Sequence, residues 1–133
     1  QFVKACYAFL NRRKCVLEVV FAGHPPLVFV PASGRAYPVA KEGDVMGASE
    51  MVTFGSQEIA VSRGDRLFLL SDGVLGYREG APWDRSDGLQ DIQRLCEQES
   101  SSSMSDMVGR IARYAAPEGQ KAKDGLLVIG VEV

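Results

Sequence analysis

The sequence lacks an excess of positive charge, a long apolar run and any cluster of cysteine or histidine. Fifteen Lys and Arg stand against seventeen Asp and Glu, for a formal net charge of -2. That excludes the bulk basic field that nucleic acid or an anionic membrane would require. No apolar run approaches the ~20 residues of a membrane span. Lys4, Arg12 and Arg13 interrupt the N-terminal region, which does not read as a signal peptide. The three cysteines, Cys6, Cys15 and Cys96, are an odd number without metal-type spacing, as expected of a reducing, cytoplasmic setting. There is no internal repeat and no long disordered tract. What is present is ordinary for a globular protein: 46% hydrophobic and 24% charged residues in a chain of 133. That is long enough for a single domain with a real core. The chain begins at Gln1, and its first residues already resemble strand, so it is expected to be a piece of a longer protein.

Short strands dominate the first half. Lys4 to Leu10 and Cys15 to Ala22 read as a hairpin around the polar turn Asn11-Arg12-Arg13-Lys14. Gly23-His24-Pro25-Pro26 stops the second strand, because Pro cannot donate to a ladder. Leu27 to Val30 reads as a short buried strand, and Arg35 to Val39 pairs back onto it. Lys41 to Glu50 is a loop, and Met51 to Phe54 and Glu58 to Val61 are strand-like. Leu67 to Leu70, bounded by Gly64-Asp65 and Asp72-Gly73, reads as a strand buried on both faces. Tyr77 to Asp87 reads as a loop with room for one helical turn. From Gly88 the period turns helical, with Leu89, Ile92, Leu95 and Cys96 on one face. Ser103 and Asp106 resemble a capping box ahead of a second helical stripe from Met104 to Ala115. Leu126 to Val133 is nearly all apolar and is expected to enter the centre of a sheet. Strands, then helices, then one core strand predict an α+β fold.

Two aspartates occupy equivalent settings. Asp72 follows a buried strand and Asp124 precedes one. If those strands are antiparallel neighbours, both carboxylates emerge at one end of the sheet, and oxygen ligands of this kind suit Mg²⁺ or Mn²⁺.

Three stretches then stand in a telling order: Ala22-Gly23-His24-Pro25-Pro26-Leu27; Gly64-Asp65-Arg66-Leu67 leading into Ser71-Asp72-Gly73-Val74; and Asp124 before the last strand. Together they resemble the SpoIIE/RsbU-type branch of the metal-dependent PPM (PP2C-like) serine/threonine phosphatases. The resemblance implies an αββα sandwich of two antiparallel sheets flanked by helices. It implies Asp72 and Asp124 as ligands in a two-metal Mn²⁺ or Mg²⁺ site that activates a water to attack phosphorus. It further implies a phosphoserine or phosphothreonine protein substrate, such as an anti-sigma-factor antagonist of the STAS type, in bacterial signalling. The family's first metal-binding segment lies ahead of the matching region and has no counterpart here. The chain is therefore expected to be the C-terminal portion of such a domain, with open strand edges that favour a homo-oligomer. Leu75 and Gly76 stand where the family has Thr and an acidic residue, and Gly125 and Leu127 where it has Asp and Thr. Those departures motivate an alternative, a catalytically inactive relative serving as a binding or dimerisation module.

Other candidates carry less. His24 is the only histidine and reads as a turn residue ahead of Pro-Pro rather than a general acid, because no partner is identifiable. Cys6 and Arg12 have the spacing of a cysteine-dependent phosphatase loop, but the intervening residues hold no Gly to cradle a phosphate. Cys96, Met104 and Met107 read as core, and Arg12-Arg13-Lys14 as a solvated turn.

Overall fold

The computed structural model describes residues 1–76, 85–121 and 125–133, which divide into two compact units. The first unit comprises residues 1–25 and 40–62. Its three-stranded antiparallel sheet has the order β1 (Ala5–Asn11), β2 (Val16–Ala22), β5 (Gly55–Ala60). The expected hairpin forms with Ala5 opposite Ala22 and Asn11 opposite Val16. Asn11 Oδ1 accepts the Lys14 amide at 3.0 Å, and Cys15 closes the turn at φ 52°. The alternation of β2 decides which face is buried: Leu17, Val19 and Phe21 are buried, while Glu18 is exposed.

Met51 to Phe54 is not a strand. Asp44 holds this segment instead. Its Oδ2 accepts both the amide of Thr53 at 2.8 Å and its hydroxyl at 3.0 Å, and the Asp44 amide donates to the Thr53 carbonyl. These bonds hold the Asp44 carboxyl below its ordinary range. With its backbone spent on Asp44, Thr53 has no ladder to join, and pairing begins only at Gly55. The neighbouring loop passes so close to β2 that a Cβ on Gly43 would collide with the Phe21 carbonyl.

The second unit comprises residues 26–39 and 63–133. Its four-stranded antiparallel sheet has the order β4 (Tyr37–Val39), β3 (Leu27–Val30), β6 (Arg66–Leu70), β7 (Val128–Glu132). Three helices, α1 (Asp72–Gly76), α2 (Arg85–Gln98) and α3 (Met104–Ala115), are described with it. The core joins Val28, Val30, Phe68 and Leu70 of the sheet to Val74, Leu75, Ile92, Cys96, Met107 and Ile111 of the helices. Ser103 caps α3 as expected, accepting the Asp106 amide at 3.1 Å.

Three expectations are corrected here. The last strand pairs only with β6 and lies at an edge of the sheet among the described residues. Gly130 lies against Met104 and Val108 of α3, where a Cβ would collide, whereas Leu127, Ile129 and Val131 are substantially exposed. Apolar content does not encode how many strands flank a strand, so Leu126 to Val133 does not by itself fix a position within the sheet. Second, Asp72-Gly73, expected only as the boundary of the buried strand, opens the short helix α1. Third, α2 begins at Arg85, three residues before the expected start at Gly88, so the helical turn allowed for in Tyr77 to Asp87 is continuous with it; residues 77–84 lie outside the described residues.

Candidate active site at the end of β6

Asp72 is the first residue after β6 and its connecting Ser71, so a packed central strand delivers it. Val74 donates its amide to the Ser71 carbonyl, which turns the chain into α1 at once. Val74 and Leu75 of that short helix are buried in the core, fixing the segment from below. Asp72 is half-buried, and its Oδ1 is fully shielded from solvent.

Asp124, the second predicted ligand, lies outside the described residues. The residues that follow it are described, and Ser71 holds them. The Ser71 amide donates to the Leu127 carbonyl at 3.0 Å, and the Leu127 amide donates to Ser71 Oγ at 2.9 Å. Ser71 Oγ in turn donates to the Gly125 carbonyl at 2.9 Å. One hydroxyl thus extends the β6–β7 ladder past its last regular pair, Leu70 with Val128, to the residue that follows Asp124. The antiparallel pairing on which the two-aspartate reading depended is present. Ser71 itself was not singled out from the sequence; its position between a buried strand and Asp72 was the available signal.

A hard cation such as Mg²⁺ or Mn²⁺ takes carboxylate oxygens, and Asp72 is a donor of that kind. Among the described residues no group of three or more His, Cys, Asp or Glu could hold an ion, so the described donors fit in type without completing a set.

The Gly-Asp-Arg-Leu stretch serves the other end of β6, roughly 17 Å away at ~3.3 Å per residue. Gly64 adopts φ 89° and donates to the Val133 carbonyl. Buried Asp65 accepts the Ala32 amide at 2.8 Å. Arg66 Nε donates to Glu132 Oε2 at 2.7 Å, across the register pair of β6 and β7. These contacts tie β6 to β7 and to the segment after β3, and they are structural. His24 follows the isolated bridge at Gly23, in the irregular segment between β2 and β3. Its Nδ1 lies 2.8 Å from the Pro25 carbonyl, and since a carbonyl only accepts, that contact places the proton on Nδ1. Cys96 is core, and burial pushes its thiol up to about 12, with the Arg66 guanidinium acting weakly in the opposite direction.

The family described as Stage II sporulation protein E (SpoIIE) matches residues 1–133. The phosphoserine phosphatase RsbU of Bacillus subtilis (strain 168) is 30% identical over 112 residues, which are 83% of this chain and 32% of that protein. The chain therefore spans about a third of the curated relative it matches. Among solved structures, the RsbU and RsbW domains of a Mycobacterium tuberculosis protein align with TM-score 0.81 at 18% identity, over 97% of this chain and 35% of that one. The phosphatase domain of SpoIIE from Bacillus subtilis, presoaked with Mn, aligns with TM-score 0.71 at 10% identity, over 98% and 56%. These likenesses show the expected PP2C-like fold class.

Proposed function

Because this chain belongs to the SpoIIE family, we propose that it forms part of a divalent-metal-dependent serine/threonine phosphatase domain of bacterial signalling. Its substrate in this reading is a phosphoserine or phosphothreonine on a regulatory protein, such as an anti-sigma-factor antagonist of a partner-switching system. The single observation that carries the site is the Ser71 clamp, which joins the residue before Asp72 to the residue after Asp124.

Asp72 and Asp124 are the ligands in this proposal, with Mn²⁺ or Mg²⁺ as the ion. When bound, such ions would lower the pKa of a water so that it can lose a proton near neutral pH and serve as the nucleophile toward phosphorus. The chain's own part is placement. The sheet fixes the backbone of Asp72, and burial of Val74 and Leu75 prevents α1 from swinging away. Leu75, where the family has Thr, is accounted for by this packing; it contributes no polar group to the site. Two carboxylates offset two of the four positive charges of two divalent ions, so this reading requires further oxygen ligands beyond Asp72 and Asp124.

The test uses the full-length protein and p-nitrophenyl phosphate in millimolar Mn²⁺. Asp72→Asn and Asp124→Asn should each remove most of the metal-dependent rate, since each replaces an anionic ligand. Turnover that survives both substitutions would sink the assignment.

A further inference from the structure

The structure carries a second polar feature, remote in sequence from Asp72. A groove of about 500 Å³ opens between α2 and α3. Its volume lies within the roughly 300–1,000 Å³ typical of ligand sites. Leu95 and the Tyr114 ring provide apolar lining, and Arg94, Arg110 and Arg113 surround it with guanidinium groups. The Tyr114 hydroxyl donates to Asp91 Oδ2 at 2.8 Å, so the two helices are cross-linked and the groove has a fixed width.

The guanidinium groups are unequally engaged. Arg110 Nη1 pairs with Glu99 Oε1 at 3.1 Å. Arg94 Nη1 lies 3.6 Å from Asp91 Oδ1, too long for a hydrogen bond, and its side chain is 65% exposed. Arg113 is exposed and reaches back along α3, its Nη1 lying over Gly109, where no side chain competes for the space. Three cations against the two carboxylates of Asp91 and Glu99 leave this groove positive on a chain whose net charge is -2.

We propose that the α2–α3 groove docks a short acidic segment of a partner protein, one apolar side chain resting on Leu95 and Tyr114 and flanking carboxylates meeting Arg94 and Arg113. Guanidinium forks match carboxylates bidentately, which favours Arg for such recognition. The excess of one positive charge suits one or two carboxylates. It is too small for a nucleic acid strand, whose binding draws on roughly 6–10 phosphate contacts.

The experiment uses the full-length protein and a fluorescein-labelled dodecapeptide with two carboxylates flanking one apolar residue, Gly-Ser-Gly-Ser-Glu-Leu-Glu-Gly-Ser-Gly-Ser-Gly, followed by fluorescence anisotropy in 50 mM salt. The double variant Arg94→Glu/Arg113→Glu should bind at least tenfold more weakly, and a peptide with Gln in place of every Glu should bind equally weakly. Hydrogen exchange should slow on addition of the parent peptide within residues 91–98 and 110–114. Both substituted side chains are exposed, so circular dichroism melting should be unchanged; if it is not, Arg113→Gln alone serves, with a smaller loss expected. The proposal is overturned if the peptide does not bind, if the Gln peptide binds as well, or if the variants bind undiminished. It is equally overturned if a twelve-nucleotide single strand or an anionic vesicle binds more tightly than the peptide and loses that binding in the same variant.

Discussion

Removing one hydroxyl should unfasten the site end of the second sheet. In Ser71→Ala, two hydrogen bonds of 2.9 Å are lost, one from the Leu127 amide and one to the Gly125 carbonyl. Each contributes about 0.5–1.5 kcal/mol net. Gly125 and Leu127 are exposed, so water replaces the lost partners and the lower half of that range applies. The expected local cost is about 1–2 kcal/mol, close to tenfold in an opening equilibrium at 1.4 kcal/mol per decade. Native-state hydrogen exchange resolves it residue by residue. The Leu127 amide should lose its protection outright, because its acceptor is gone. The Ser71 amide, whose acceptor is the Leu127 carbonyl, should exchange about tenfold faster by the same arithmetic. Amides at Leu67 and Leu69, which lie on the same side of β6 as that of Ser71 and deeper in the ladder, should be unchanged, and Ser71→Thr, which keeps an Oγ, should restore most of the protection. Unaltered Leu127 protection in Ser71→Ala would refute the clamp.

Two further substitutions have a predicted sign. Glu18 and Glu58 are direct cross-strand partners of β2 and β5, both exposed, so Glu58→Lys should stabilise by roughly 0.5 kcal/mol and raise the melting temperature, an effect that shrinks in 1 M salt. Folding raises the Cys96 thiol to about 12, so the folded state holds its proton where the unfolded chain, near ~8.5, releases it. The stability tied to this thiol is fully present below about pH 8.5 and drains away as pH rises toward 12. Denaturation of wild type and Cys96→Ala should therefore converge as pH rises from 8 to 10.5; parallel curves would contradict it.

Legibility from the sequence divided along the range of the interactions involved. β3 was readable to its ends because Pro26 and Pro31 bracket four apolar residues, and the Ser103 cap because its partner is three residues away. The β1–β2 hairpin was readable because its turn is local. Met51 to Phe54 misled because what holds Thr53 is Asp44, nine residues back, and local propensity cannot report such a claim on the backbone. The edge position of β7 was hidden for the same reason, since apolar content does not encode neighbours. At the candidate site, Asp72 stood out as a carboxylate at the mouth of a buried strand. Ser71 did not, because the backbone its hydroxyl meets lies 56 residues downstream.

That same separation governs the order in which this unit can assemble. β6 and β7 are neighbours in the sheet, yet α1, α2 and α3 lie between them along the chain. Closing a loop of this length carries an entropic penalty that local contacts do not offset, so pairing β7 is slow compared with forming α3 on its own cap. During synthesis, β6 leaves the ribosome with β3 for company and one edge open, and it stays open until the helices have been made. The helices close over Phe68 and Leu70 on one face, while the open edge waits for residues translated several seconds later, at ~5–20 residues per second. The seam fastened by Ser71 is the last to close, and the carboxylate beside it acquires its setting only when the rest of the unit is already built.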